Sequence, residues 1–246
     1  MKRSNIKPPS VDTSVAGLAG RVLYEDNHLI IVNKLPSEIV QGDKTGDTPL
    51  ADLVRSYIKE KYNKPGNVFL GVSHRIDRPV SGAVVFARTS KALARLNAML
   101  KDREIEKKYL AVVQRKPPAS EGTLTHFLKK DEKQNKSYVV DERTPDAKKA
   151  VLHYCVISRS DHYYLLDVRL LTGRHHQIRA QLSAIGCPIK GDLKYGHDRS
   201  NKDGSVHLHA RSMAFVHPVN QQKLKVVAPF PQRDPLWRFF EQSQAM

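Results

Sequence analysis

The chain has 246 residues, 40% of them hydrophobic, enough for one large domain or two small ones and too many for a mainly disordered chain. Lys and Arg outnumber Asp and Glu by 41 to 25, a formal net charge of +16; a surplus of that size favours a polyanionic partner, because phosphate contacts release counterions, over a basic protein with no particular partner. The two cysteines, Cys155 and Cys187, make no disulfide or metal framework, and no apolar stretch follows Lys2 and Arg3, which argues against secretion or membrane insertion and for the cytoplasm.

Residues 1–19 are polar, small and Pro-containing and read as a flexible arm. Residues 21–24 and 29–33 are short β-prone runs separated by Glu25-Asp26-Asn27-His28, a hairpin signal. Thr48-Pro49 reads as an N-cap followed by Pro at the first helical position. Behind it Leu50, Leu53, Val54, Tyr57 and Ile58 fall at helical spacing, and Pro65-Gly66 closes the element. Residues 68–72 and 83–87 are apolar runs short enough for buried strands, with the far more polar 73–82 between them. Ser90 is the expected cap of a second helix, with Leu93, Leu96 and Leu100 on one face. Residues 108–113 read as a strand closed by Pro117-Pro118. From about 120 to 160, turns alternate with period-two segments such as 123–128 and 151–157. Residues 163–171 form a long strand ending in the Thr172-Gly173 turn. A short helix follows, with Ile178, Leu182 and Ile185 as its buried stripe and Gly186 as its stop. Residues 213–216 and 224–227 are the last strands, and 237–240 a terminal helix. Hairpins interspersed with helices, with no repeat and no linker after residue 20, give an α+β domain on a mixed, mainly antiparallel sheet.

Three segments carry chemistry. His74-Arg75-Ile76-Asp77-Arg78-Pro79-Val80-Ser81-Gly82 puts an acid between two arginines in a loop flanked by buried strands. Cations this close favour an ionised carboxylate, which suits a nucleophile, a base or a structural ion pair closing the loop. Lys107-Lys108-Tyr109 sets a tyrosine among cations at the start of a strand, suited either to stacking on a base or to simple packing. Thr172-Gly173-Arg174-His175-His176-Gln177-Ile178-Arg179 gathers two Arg, two His and a Gln at a helix start. With Ile178, Leu182 and Ile185 facing the core, His176 and Arg179 project from another side, as a solvated face or as an anion site favoured by the helix amides.

In order and spacing these segments resemble the RluA family of pseudouridine synthases. That family's first motif, His-Arg-Leu-Asp-x-x-Thr-Ser-Gly, is matched by residues 74–82, its Lys-x-Tyr element by Lys107 and Tyr109, and its Thr-Gly-Arg-x-His-Gln-Ile-Arg by residues 172–179. Its Gly-x-Pro-Ile-x-Gly-Asp-x-x-Tyr-Gly is matched by residues 186–196. Ile76 replaces Leu, Val80 replaces Thr, and His175 fills a variable position. The resemblance implies a pseudouridine synthase fold over 20–246 and isomerisation of uridines in structured RNA, ribosomal or transfer, by a monomer without metal or cofactor. It implies Asp77 as catalytic carboxylate, Arg179 as its partner, and Tyr109 stacked on the target uracil. It implies Arg75 as the side chain entering the space left by the flipped nucleotide. His74, Arg78, Lys107, Arg174, His176 and Gln177 are the expected RNA-binding residues. Many relatives carry a small S4-type domain ahead of the core; the first hairpin here starts near Arg21, which leaves room for an arm alone.

Three rival readings compete, one of them a family member that has lost activity, against which all the matched catalytic positions stand intact. A non-catalytic RNA-binding protein explains the charge but not an acid inside the most basic loop. A metallohydrolase would use His207 and His209, on one face of a strand, yet no acid is spaced to complete a ligand set.

Overall fold

The computed structural model describes residues 15–43 and 45–244. In chain order the elements are α1 (Val15–Ala19), β1 (Val22–Glu25), β2 (Leu29–Lys34), α2 (Leu50–Lys61), β3 (Gly71–Val72), β4 (Ser81–Ala87), α3 (Ser90–Asp102) and β5 (Glu106–Val113). Then come β6 (Glu121–Asp131), β7 (Lys136–Val140), β8 (Lys148–Arg159), β9 (Tyr164–Leu170), α4 (Gln177–Ala184), a 3₁₀ turn (Leu193–Tyr195), β10 (Leu208–Val216), β11 (Lys223–Val227) and α5 (Pro235–Ser243). All strands join one sheet in the order β1-β2-β4-β10-β5-β9-β8-β6-β7, with β3 added to β4 and β11 to β10. Among the described residues every ladder is antiparallel except that between β4 and β10. The sheet is therefore mixed and mainly antiparallel, as the sequence pattern predicts.

Its centre is apolar on both faces. Leu29, Ile30, Ile31 and Val32 of β2 and residues 83–87 of β4 are all fully buried, the signature of strands covered on both sides. Period two divides them. Ile30, Val32, Val84 and Phe86 meet Leu50, Val54, Tyr57 and Ile58 of α2 on one face, while Leu29, Ile31, Ala83 and Val85 meet Ala92, Leu96 and Met99 of α3 on the other. Trp237 and Phe240 of α5 cover Leu110, Val112 and Leu165 farther along the sheet.

Several boundaries differ from the sequence reading, each for a local reason. The stretch read as an arm ends in helix: Val15 and Leu18, one turn apart, lie on the face of α1 that meets the core, with Leu18 fully buried. Residues 1–14 of that stretch lie outside the described residues. The α2 cap is Pro49 rather than Thr48, with no side-chain bond. Its first amides are instead taken by the main chain, Leu50 N–H on the Ile39 carbonyl (2.8 Å) and Ala51 N–H on that of Val40 (3.2 Å). Thr89 rather than Ser90 caps α3, its hydroxyl accepting from Ala92 N–H at 3.2 Å. Residues 68–70 are not strand, because Gly71 already pairs with Ala87, the last residue of β4.

The β4–β10 ladder fixes the polar loop before β4. It aligns Ser81 with His209 and Gly82 with Ala210. Gly82 has φ +117°, and a Cβ there would lie 2.3 Å from the Ala210 carbonyl oxygen, so this approach is open to glycine alone. The loop is tied down at three further points. His74 Nε2 accepts from Val85 N–H at 3.1 Å, and the Arg78 carbonyl accepts from Ser37 N–H at 2.9 Å. The same carbonyl takes the buried Lys34 ammonium at 3.0 Å, whose other two protons go to the carbonyls of Leu35 (2.9 Å) and Glu38 (2.8 Å).

Candidate active site

Asp77 stands on this anchored loop with its side chain 26% exposed. The facing residue is Arg179 on α4, which donates from Nη1 to Asp77 Oδ2 at 3.0 Å. A planar guanidinium has five donors, more than one carboxylate can take. Asp192, 1% exposed, receives two of the others: Nε donates to its Oδ2 at 2.7 Å and Nη2 to its Oδ1 at 2.8 Å. This side-on fork fixes the plane of the guanidinium, and the Tyr195 ring lies 5.0 Å from its central carbon. The two carboxylates push the Arg179 pKa up against the opposing effect of burial.

The polar side of α4 is buried rather than solvated, correcting the first of the two readings given to that face. Gln177, Arg179 and Gln181 are all at most 5% exposed. This side meets β6, β7 and the 3₁₀ turn, and its polar groups are bonded within the protein except Gln181 Oε1, which has no partner among the described residues. Gln181 Nε2 donates to the carbonyls of Leu124 (3.1 Å) and Ala150 (3.2 Å). Gln177 Oε1 accepts from Arg174 N–H (2.9 Å) and the Thr172 hydroxyl (2.8 Å), while its Nε2 donates to the Val151 carbonyl (3.0 Å). Gln177 thus braces the turn that leads into the helix.

His176, the left-handed residue before α4 (φ 51°), brings its Nε2 to 3.5 Å from Asp77 Oδ2 and its Nδ1 to 3.0 Å from the Tyr195 hydroxyl. Burial first, then the Arg179 charge, push its pKa down to about 2. The ring is neutral, and its Nδ1 lies beside a Tyr195 hydroxyl that donates to the Ser137 carbonyl at 3.1 Å. His175 stacks on it, with ring centroids 3.8 Å apart.

An open cleft of about 400 Å³ gathers Arg75, Asp77, Tyr109, Arg174, His176, Gln177 and Arg179, with Ile76, Val80, Leu170, Ile178 and Leu208 as its apolar lining. Seven of the ten residues singled out in the sequence therefore share one cavity. Tyr109 is buried, its hydroxyl makes no hydrogen bond to the described residues, and burial followed by the Asp77 charge raises its pKa. The other three stand apart. His74 holds Val85, and burial, with Lys107 second, lowers its pKa to about 3. Arg78 is exposed and pairs with Asp47. The Lys107 ammonium lies beside Gly173, its pKa lowered by burial.

His207 and His209 are both held structurally. His207 is bonded by Asn201 (2.9 Å) and Asp234 (3.1 Å) and stacks on Trp237, and His209 Nδ1 lies 2.8 Å from the Ser81 hydroxyl. Among the described residues no group of three His, Cys, Asp or Glu could hold a metal, and no helix is long and apolar enough to cross a membrane.

The sequence reading gave no role to Asp192, Tyr195 or Lys34. The signal for Asp192 is the unspent donor capacity of Arg179; that for Lys34 is its place two residues after Val32 on the core-facing side of β2.

Buried neutral histidines make the fold acid-sensitive. His74, His176 and His209 have folded pKa values of about 3, 2 and 3 against 6.5 unfolded, burial being the first cause in each case. Below pH 6.5 the unfolded chain takes up protons that the folded one refuses. Stability is thus complete above that pH and falls as pH drops, by about 1.4 kcal/mol per pH unit for each such histidine. Urea unfolding at pH 7 and pH 5 should show a loss on the order of 2 kcal/mol per histidine, and His209→Gln should make the dependence shallower. An equal urea midpoint at both pH values would contradict the assignment.

Comparison with known proteins identifies the family. The sequence profile of the RNA pseudouridylate synthase family matches residues 28–184. The chain is 31% identical over 229 residues to the uncharacterised RNA pseudouridine synthase YlyB of Bacillus subtilis, covering 92% of this chain and 74% of that one. It is 31% identical to ribosomal large subunit pseudouridine synthase D of Zymomonas mobilis (86% and 69% covered). It is 30% identical to ribosomal large subunit pseudouridine synthase C of Vibrio cholerae (93% and 72%). The fold is that of human RNA pseudouridylate synthase domain containing 4, with a TM-score of 0.74 at 24% identity over 94% of both chains. With the profile covering well over half its length and relatives matched across most of theirs, this chain belongs to the RNA pseudouridylate synthases of the RluA type, isomerases that act on RNA.

Proposed function

We propose that this protein isomerises particular uridines in structured ribosomal RNA, in the cytoplasm and as a monomer, with Asp77 as the carboxylate that acts on the ribose. The observation that carries the reading is the Asp77–Arg179 pair at 3.0 Å beside Tyr109 in one cleft. The names of the Zymomonas and Vibrio relatives favour ribosomal over transfer RNA.

The target is extruded from the RNA, because its reacting atoms are out of reach when stacked. The N1–C1′ bond breaks, the uracil turns, C5 bonds to C1′, and the C5 proton leaves as N1 gains one. Two routes fit Asp77: attack on C1′ to give a covalent adduct, or removal of the C2′ proton to give a glycal. Arg179 orients the carboxylate, Tyr109 stacks on the uracil, and Arg75, exposed on the rim, enters the space left by the extruded nucleotide. Arg174 and Lys107 meet phosphates, with sequence read from unstacked loop bases. Because the reaction involves neither redox change nor hydrolysis, it needs no cofactor.

Mapping pseudouridines in cellular RNA with and without the gene tests the substrate. Loss of one or a few sites in large-subunit ribosomal RNA is expected; loss confined to transfer RNA would reassign it. Tyr109→Phe separates stacking from proton transfer. RNA affinity should stay within about threefold, since the base–aromatic contact of about 1–3 kcal/mol is kept. Product formed at the wild-type rate would exclude the phenol from C5 deprotonation; arrest after the base is detached would place it there.

A further inference from the structure

The buried phenol of Tyr195 touches two parts of the molecule at once. Its ring lies 5.0 Å from the guanidinium carbon of Arg179. Its hydroxyl accepts from Ser137 N–H at 2.9 Å and lies 3.1 Å from the Ser137 carbonyl oxygen and 3.0 Å from His176 Nδ1. Ser137 belongs to β7, the last strand of the sheet, whose outward amide and carbonyl would otherwise be an open edge. The next residue back in the 3₁₀ turn, Lys194, donates to the carbonyls of Gln134 (3.3 Å) and Asn135 (3.1 Å) at the tip of the β6–β7 hairpin. Asp192, immediately before the turn, holds Arg179. Residues 192–195 thus join the Asp77–Arg179 pair to a hairpin that presents the exposed cations Lys130 and Lys133 and the half-buried Lys129 and Lys136. The Lys136 ammonium itself lies 5.1 Å from the Tyr195 ring and 5.0 Å from that of Tyr138.

We propose that Tyr195 is a positioning residue with two separable functions: its ring holds the Arg179 guanidinium in register with Asp77, and its hydroxyl locks the basic β6–β7 hairpin in the orientation that receives RNA. This rests on the reading of Asp77 and Arg179 as the reacting pair. The ring acts on the chemical step and the hydroxyl on substrate capture.

Tyr195→Phe and Tyr195→Met separate the two in steady-state kinetics on the target RNA, alongside Asp77→Asn. The Phe variant keeps the ring and loses the hydrogen bonds to β7 and the contact with His176 Nδ1. Its KM should rise about fivefold to tenfold while kcat stays within about threefold, as expected when one or two hydrogen bonds are lost. The Met variant loses both, and its kcat should fall a further factor on the order of 10², the scale of a misplaced reacting group. A Phe variant that lowers kcat as far as Met does, or a folded Met variant with normal kcat, overturns the proposal. If thermal melting shows that the Met variant does not fold, the Phe variant alone decides: kcat lost at unchanged KM overturns it. Activity in Asp77→Asn would instead refute the reacting-pair reading, whereas an inactive Asp77→Asn beside an unaffected Tyr195→Met refutes this inference alone.

Discussion

Asp77→Asn should lower kcat by on the order of 10⁴-fold or more, the scale on which removal of one essential nucleophile or base acts, while RNA affinity stays within a few-fold. Asn has the shape of Asp and keeps an oxygen for Arg179 Nη1, so the loop has no steric reason to move. Arg179 remains held by its two bonds to Asp192, and the loop by Val85, Lys34 and Ser37. The melting temperature should therefore barely change. Loss of activity together with loss of RNA binding or of fold would mean that Asp77 is an architectural ion pair. Clear multiple turnover by the variant would remove it from the chemistry.

Arg179→Gln should be destabilising by about 3–5 kcal/mol as well as inactive, because it strands a carboxylate that is 1% exposed without its countercharge. The cost comes mostly from Asp192, not from Asp77, which faces the open cleft. Adding Asp192→Asn to Arg179→Gln removes the unpaired charge and should return much of the lost stability, yet no activity, since the guanidinium that orients Asp77 is still missing. Chemical denaturation of the two single variants and the double variant, with turnover measured on each, checks this. A double variant as unstable as Arg179→Gln would show that the fork to Asp192 is not what the fold depends on.

The sequence made the sheet class legible because hydrophobic period marks strands directly: residues 29–33 and 83–87 have few polar interruptions, and both lie at the buried centre. Helix caps were missed by one residue at Thr48 and Ser90, since the partners of the first α2 amides come from Ile39 and Val40, to which no local pattern points. Of the site, the residues that converge on Asp77 were visible as polar groups in otherwise apolar surroundings. The role of the 3₁₀ turn was not. Asp192 and Tyr195 act through Arg179, and their partners on β7 and α4 are brought there by the β6–β7 hairpin, a contact made in three dimensions. The burial of the polar face of α4 was left open for the same reason, because periodicity assigns one apolar stripe to a helix and cannot see a second partner across it.

The most direct measurement is tritium release from RNA transcribed with [5-³H]uridine, using the purified chain and, in parallel, nucleoside analysis of the digested product. The account predicts tritium in the solvent in amounts equal to the pseudouridine recovered, at one or a few positions, and neither with Asp77→Asn. RNA that binds the wild-type chain, loses no tritium and yields only uridine would contradict it.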